Sequence, residues 1–144
     1  MKKLLLAALL GLFSFAASAN NKIDITNLMA ACPGANITVQ WVCYDFSTCA
    51  VTLTSPVYSA VTGTVYDLDD PTTWGGIKPP SYSLYAAIVC IDCPPVFCLP
   101  TIFTLPGICG PTSAGPLMTP CCGSFGADIT SGGGGICFHL TIHP

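Results

Sequence analysis

Thirteen prolines are spread along this chain of 144 residues, the first at Pro33 and the last at Pro144. Proline has no amide hydrogen and its ring collides with the preceding turn, so each one forbids a helix interior. Glu and Arg, two strong helix formers, are absent, whereas Thr, Val and Ile are plentiful. The chain is therefore predicted to be extended rather than helical after its first residues.

Alternating apolar and polar residues predict where the strands lie. The clearest example is residues 37–44, in which Ile37, Val39, Trp41 and Cys43 share one face. Residues 136–143 alternate in the same way. Further strands are predicted over 22–26, 49–54, 57–68, 82–91 and 127–130, with short edge strands near Phe97 and Ile102. The fold class predicted is all-β: an antiparallel, sandwich-like domain of about seven or eight short strands.

The N-terminus has the three parts of a secretory signal peptide. Lys2 and Lys3 precede an apolar run over residues 4–15, and small residues follow up to Ala19. The run is too short for a spanning helix, which needs about 20 apolar residues. We predict cleavage after residue 19, a single domain over residues 20–144, and no transmembrane segment after cleavage. The predicted location is secreted, whether periplasmic, extracellular or on the cell surface.

Ten cysteines lie in the 125 residues after the predicted cleavage site, a density typical of a disulfide scaffold in an exported chain. Sequence alone cannot choose among the connectivities. Three of the cysteines precede Trp74, so complete pairing requires at least one bridge between the N-terminal and C-terminal parts. The disulfide candidates are Cys32, Cys43, Cys49, Cys90, Cys93, Cys98, Cys109, Cys121, Cys122 and Cys137.

Charge excludes one class of partner. After the predicted cleavage only Lys22 and Lys78 remain against seven Asp, a net charge near −5. Nucleic-acid binding needs clustered Lys or Arg to neutralise phosphates, so no nucleic-acid partner is predicted. Anionic membrane surfaces are disfavoured for the same reason.

The spacing of Cys90 and Cys93 is that of a thiol-redox motif, but two prolines follow instead of the helix that would lower a thiol pKa. Structural disulfides are the better interpretation. Zinc held by Cys90, Cys93, Cys121 and Cys122 is disfavoured because adjacent cysteines are poor tetrahedral ligands and because export favours oxidation. No metal and no cofactor are predicted.

Histidine and aspartate patterns also favour structural interpretations. His139 and His143 on a strand lie roughly 13 Å apart and cannot share one ion. They are predicted to be exposed residues of the outer face. Asp67, Asp69 and Asp70 could supply oxygen ligands to calcium, but Asp-Asp-Pro is common turn chemistry and a solvated turn is the better interpretation.

Residues 69–81 form the one long irregular stretch, and Trp74 on it is the best single candidate for ligand binding, with Tyr82 just beyond. An exposed aromatic on a rigid scaffold can hold a sugar or a peptide. The commoner arrangement is a Trp that folds back over the core as a lid.

The sequence NKIDITN at residues 21–27, followed by VQWVCYD at residues 39–45 and later Cys/Pro/Gly-rich turns, resembles short secreted cysteine-rich β proteins of Gram-negative bacteria. That resemblance implies only the fold and the compartment. No catalytic residues are predicted, so the expected function is non-enzymatic: binding of an extracellular ligand or self-association. The alternative is a small extracellular hydrolase or thiol-redox protein whose site forms only in three dimensions.

Overall fold

The computed structural model describes residues 21–29, 32, 34–80, 83–93, 100–105, 109–119, 121–132, 136 and 138–144. The predicted signal peptide, Tyr82, Phe97, Cys98 and Cys137 lie outside the described residues. No helix in the described part of the chain combines the length and hydrophobicity needed to span a bilayer.

The described residues form nine strands in two sheets, which confirms the sandwich-like all-β class. The strands are β1 (Lys22–Asn27), β2 (Asn36–Asp45), β3 (Val51–Ser59), β4 (Val65–Asp67), β5 (Ser83–Asp92), β6 (Thr101–Leu105), β7 (Ser113–Thr119), β8 (Gly123–Ser131) and β9 (Phe138–His143). The order is β4-β1-β9-β8-β7 in one sheet and β3-β2-β5-β6 in the other. A short 3-10 helix, Pro71–Trp74, interrupts the connection between β4 and β5.

One strand pair is parallel. Strand β1 lies beside β9 with Ile23 opposite Phe138 and Ile25 opposite Leu140, so the first and last described strands are direct neighbours. Parallel neighbours cannot be joined by a tight hairpin, and here nearly the whole described chain separates the two strands. Alternation within a strand sets its faces and not the direction of its neighbour, which is why the sequence predicted only antiparallel pairing.

The core lies between the two sheets and follows the predicted alternation. Strand β2 contributes Val39, Trp41 and Cys43, and strand β9 contributes Leu140 and Ile142, all fully buried. Strand β5, whose sequence is almost entirely apolar, pairs with both β2 and β6. In the four-stranded sheet the two strands with most buried residues, β2 and β5, therefore lie in the middle, and the mostly exposed strand β3 lies at an edge.

The chain between residues 49 and 68 differs from the prediction of a break before Val57. Strand β3 runs through Pro56, and the turn comes later, where Gly63 adopts φ +84°. A bulge accommodates Pro56, which has no amide to donate: the Trp41 amide donates to the Ser55 hydroxyl at 2.9 Å instead of to a backbone carbonyl. Proline is tolerated here because β3 is an edge strand.

Candidate functional site

Trp74 is a core residue and not an exposed binding residue. Only 1% of it is exposed, its indole nitrogen donates to the Leu68 carbonyl at 2.9 Å, and its ring lies against Tyr85 with centroids 5.8 Å apart. The interpretation of Trp74 as a binding residue was therefore wrong, and the lid arrangement describes it. The reason is that the 3-10 helix ending at Trp74 turns the indole inward, where its single donor finds a carbonyl.

The acidic cluster before Trp74 is used for turn chemistry. Asp67 accepts from the Asp69 amide at 3.0 Å, and Asp70 caps the 3-10 helix by accepting from the Thr72 amide at 2.8 Å. That capping bond, with the Thr72 hydroxyl, holds the pKa of Asp70 below its usual value. Each of these carboxylates already stabilises its own turn, which favours the solvated-turn interpretation over a calcium site.

A cleft opens above Trp74, between the loop that follows the 3-10 helix and the start of β5. Its volume is about 440 Å³, within the range of small-molecule pockets. The lining residues are Asn21, Asp69, Lys78, Pro79, Pro80, Ser83 and Tyr85. Asp69 and Lys78 place a carboxylate and an ammonium group around one opening, and the sequence did not indicate that these two residues meet.

Hydrogen bonds fix the polar floor of this cleft. The Tyr85 hydroxyl donates to Asp69 Oδ1 at 3.1 Å, and the Asn21 side-chain amide donates to the same oxygen at 3.1 Å. Burial, assisted by the negative charge of Asp69, strongly raises the pKa of Tyr85. The phenol therefore stays protonated at physiological pH and can act only as a hydrogen-bonding group.

A second, shallower cleft lies on the other side of the 3-10 helix. It encloses about 350 Å³ between the Tyr58–Tyr66 ring pair, whose centroids are 4.9 Å apart, and the Asp70 turn. The Tyr58 hydroxyl is already engaged, since it donates to the Thr73 carbonyl at 2.9 Å. This cleft offers aromatic edges and the carboxylates of Asp67 and Asp70 but no described cation.

The outer face of the four-stranded sheet carries one uncharged and mostly apolar row that is open to solvent. The row crosses all four strands and contains Val57, Gln40, Ile88 and Ile102, of which Val57 is 62% and Ile102 46% exposed. We call these four residues, three of them apolar, the apolar row; it contains no charged side chain. The sequence analysis did not consider the outer face of β2 and β5. Val42, Ala86 and Ile88 are apolar residues on that face and could have indicated that it is partly apolar.

A disulfide strap covers the neighbouring part of that face. Cys109 packs on a small cluster of Val42, Tyr44 and Ala86, and it is bonded to Cys49 in the turn after β2. Beneath the strap Val42 and Ala86 are fully buried, whereas the apolar row beside it is open. The strap therefore closes one part of an apolar face and leaves the other part without a described cover.

Both histidines lie on the outer face of the five-stranded sheet, and each is paired with an aspartate. His139 Nδ1 lies 2.5 Å from Asp24 on β1, and His143 Nε2 lies 2.9 Å from Asp128 on β8. Each His–Asp pair joins β9 to a different neighbour. Their partial exposure agrees with the predicted outer-face position, and the pairing with aspartate is the part that sequence did not reveal.

Three disulfides are placed among the described cysteines: Cys32–Cys122, Cys49–Cys109 and Cys93–Cys121. The first two join the N-terminal and C-terminal parts, which confirms the expectation from parity. Cys90 is also disulfide-bonded, and Cys93 pairs with Cys121 rather than with Cys90, so the redox interpretation of the Cys90–Cys93 spacing gains no support.

Cys43 departs from the expected complete pairing. Within the described residues it is a free, buried thiol on the inner face of β2. Cys43 points into the core and is paired in register with Tyr85 on the neighbouring strand β5. This position keeps it away from the loops where the bridges form. The prediction of Cys43 as a disulfide candidate was therefore wrong. The alternation in β2 puts Cys43 on the core face, and a core position is unfavourable for a bridge even where the even number of cysteines suggests that all are paired.

No known protein family, characterised protein or solved structure matches this chain, so its architecture and its surfaces alone bear on what it does.

Proposed function

We propose that this chain is an exported, non-enzymatic protein that acts by associating with further copies of itself through the apolar row. The observation that carries the proposal is the open, uncharged row of Val57, Gln40, Ile88 and Ile102 across the four-stranded sheet. Burying such a face contributes about 25 cal/mol per Å² of apolar surface.

The distribution of charge favours a second copy as the occupant. The carboxylates of Asp24 and Asp128 lie on the opposite sheet, Asp67 ends β4, and Asp69 and Asp70 lie in the loop that follows it. The remaining two, Asp45 and Asp92, lie at the ends of β2 and β5, away from the middle of those strands where Gln40 and Ile88 lie. The apolar row itself contains no carboxylate, so two copies that meet through it would not place like charges against each other along the row. A strongly charged partner would find no complementary charge there.

The adjoining edge strand supports the same proposal. Strand β3 carries no Lys, and Val51 and Val57 on it are both exposed. Edge strands usually avoid pairing with other chains through charges, bulges or prolines, and β3 has only Pro56 and its bulge. Export itself is proposed from the N-terminal residues 1–19, and the disulfides are compatible with it.

Sedimentation of the oxidised chain over a concentration series tests the proposal. We expect concentration-dependent association that Val57→Lys and Ile102→Lys each weaken by at least about tenfold, a change of about 1.4 kcal/mol. The matched control is Val65→Lys, since Val65 is 49% exposed but lies on the other sheet. Circular dichroism checks that all variants are folded.

Two results would reject association through the apolar row. One is a monomer at every concentration, and the other is an effect of Val65→Lys equal to that of Val57→Lys. A monomer leaves the second candidate function, binding of a small ligand in the cleft between Asp69, Lys78 and Tyr85, which the volume and mixed charge of that cleft favour.

The enzymatic alternative, a hydrolase or thiol-redox protein, is tested by counting reactive thiols on the native oxidised chain. Cys43 is buried, so we expect it to react only after denaturation. Rapid reaction of Cys90 and Cys93 in the native chain would favour thiol chemistry over association.

A further inference from the structure

Four cysteine sulfurs from three separate segments meet at one end of the sandwich. Cys32 lies in the connection from β1 to β2, Cys93 directly follows β5, and Cys121 and Cys122 lie in the turn between β7 and β8. We call these residues the sulfur cluster. It lies at the opposite end of β5 from the cleft lined by Ser83 and Tyr85.

Three of the four sulfur positions are close to those of a tetrahedral metal site. The sulfurs of Cys93, Cys121 and Cys122 all lie within 4.8 Å of one another, and those of Cys121 and Cys122 are 3.4 Å apart. The Cys32 sulfur lies outside that group of three but is bonded to Cys122, so it supplies the fourth ligand once that bond is reduced. Zinc–sulfur bonds of about 2.3 Å in a tetrahedron separate neighbouring sulfurs by about 3.8 Å.

The turn between β7 and β8 brings the sulfurs of the adjacent residues Cys121 and Cys122 into positions that one metal ion could share, although adjacent cysteines are usually poor ligands. The Cys122 amide donates to the Thr119 hydroxyl at 3.2 Å, and that hydroxyl donates to the Gly123 carbonyl at 3.1 Å. Gly123 adopts φ +71°, a conformation that closes the turn tightly. As a result both sulfurs point to the same side, toward Cys93.

Burial also suits a structural metal. Cys93 is 2% exposed, while Cys32, Cys121 and Cys122 are half-buried and pack against the main core. A set of four thiolates is the donor set that zinc takes in closed structural sites, and sulfur ligands disfavour magnesium and calcium.

We propose that the reduced chain binds one zinc-class divalent ion through the sulfur cluster, and that the two disulfides are the oxidised form of the same site. Two equivalents of a dithiol reductant supply four electrons and four protons, and they convert the disulfides into four thiols. Binding of the ion then displaces those protons from the thiols. Two equivalents of a small-molecule disulfide oxidant accept the four electrons, take up four protons from solvent and leave as thiols; the four thiolates become two disulfides, and the ion is released. This proposal is independent of the apolar row.

Cobalt(II) is the probe that tests the site. The full chain is reduced anaerobically with a phosphine, which does not compete for the ion, and is titrated with cobalt(II). We expect one equivalent to produce the intense visible bands of tetrahedral thiolate coordination, and we expect zinc to displace them. Circular dichroism in the same titration shows whether folding accompanies binding; metal-coupled folding of the reduced chain would support the site as well.

Variants distinguish the sulfur cluster from adventitious thiol binding. Cys93→Ser and Cys122→Ser should each lose the tetrahedral spectrum, whereas the double variant Cys49→Ser/Cys109→Ser, which removes the strap, should keep it. Absence of the spectrum in the reduced wild-type chain would overturn the proposal. So would a spectrum that survives Cys93→Ser and Cys122→Ser, or one that disappears with the strap.

Discussion

At the scale of single residues, Trp74, the aromatic side chain that looked suited to ligand binding, is structural. Trp74 and Tyr85 lie against each other. The Trp74 indole donates a hydrogen bond to the Leu68 carbonyl, and the Tyr85 phenol donates one to Asp69. A buried Trp or Tyr usually finds such a partner. These two residues therefore hold the loop in place, and of the two only Tyr85 lines the cleft.

Replacement of Trp74 tests this structural role. We expect Trp74→Ala to lower the free energy of unfolding by about 3–5 kcal/mol, the range for removing a large buried aromatic. The control is Phe46→Ala, in which 60% of the side chain is already exposed, with an expected change within about 0.5 kcal/mol. Urea unfolding under non-reducing conditions measures both. Equal effects of the two substitutions would mean that Trp74 is not a core residue.

Asp45 gives a prediction in acid. Hydrogen bonds from the Ser47 side chain and from Thr48 lower the pKa of Asp45 to about 2. Because the folded pKa lies below the ordinary value of 3.8, the stabilisation is complete above pH 3.8 and is lost as the pH falls toward 2. Ser47→Ala should raise the Asp45 pKa, and Thr54→Ala, on β3, should not. Carboxyl NMR titration measures the change; identical Asp45 midpoints in the two variants would contradict the assignment.

Tyr85 gives the opposite sign in alkali. Burial raises the pKa of Tyr85, so the folded chain retains a proton that the unfolded chain loses near pH 10. Stability should therefore fall as the pH rises above about 10. Tyr85→Phe should be less stable at neutral pH by about 1 kcal/mol, for the lost bond to Asp69, yet show a shallower alkaline decline. An alkaline decline as steep as that of the wild-type chain would count against this role.

Tyr66 accounts for the part of the decline that remains in Tyr85→Phe. Burial, with a contribution from Tyr58, also raises the pKa of Tyr66. Tyr66→Phe should therefore also reduce the steepness, and the double variant should reduce it most.

At the scale of elements, strand β9 is the one that links the two termini of the described fold. It pairs with β1 on one side and β8 on the other, and a His–Asp pair crosses each boundary. Both pairs are partly exposed, so their contribution is modest. The main stabilisation of β9 comes from the burial of Leu140 and Ile142 on its inner face.

A double-mutant cycle on Asp24 and His139 measures one of these links. We expect Asp24→Asn and His139→Gln to show a coupling of up to about 1 kcal/mol, smaller in high salt. The same substitutions on a pair that is not in contact, Asp128→Asn with His139→Gln, serve as the control, since Asp128 contacts His143 instead. Coupling that is absent in the first cycle or as large in the second would contradict the pairing.

Alternation in the sequence predicted the elements better than it predicted their partners. It placed β2 and β9 correctly because a strand with one buried face repeats every two residues, whereas β5 was predicted from its almost unbroken apolar run. It missed the parallel neighbour of β1 and the continuation of β3 through Pro56, because both depend on a distant strand. The Ser55 hydroxyl that replaces the missing ladder bond is a tertiary feature with no local signature.

At the scale of the whole molecule, disulfides connect parts that are far apart in sequence. Cys32–Cys122 spans 90 residues and Cys49–Cys109 spans 60. In the chain-entropy model, closing loops of these lengths contributes about 4–5 kcal/mol each. The need for at least one such bridge followed from the cysteine count, but their identity did not, because it depends on which loops meet at each end of the sandwich.

The candidate surfaces were the least predictable part of the molecule. The apolar row combines residues from four strands, and the sulfur cluster combines three segments separated by up to 90 residues. Trp74 was chosen as a binding candidate because it lies in an irregular stretch, whereas Ile88 and Ile102 were considered only as parts of predicted strands. A residue that is conspicuous in the sequence need not be exposed, and only the packing of the two sheets shows which residues reach the surface.

Mass-spectrometric mapping of disulfides in the native, non-reduced chain tests the account most directly. The account predicts the linked peptides Cys32–Cys122, Cys49–Cys109 and Cys93–Cys121, with Cys43 alkylated only after denaturation. A bridge to Cys43, or a set of bridges confined to neighbours in sequence, would contradict the placement of the two sheets and of the sulfur cluster at the end of the sandwich.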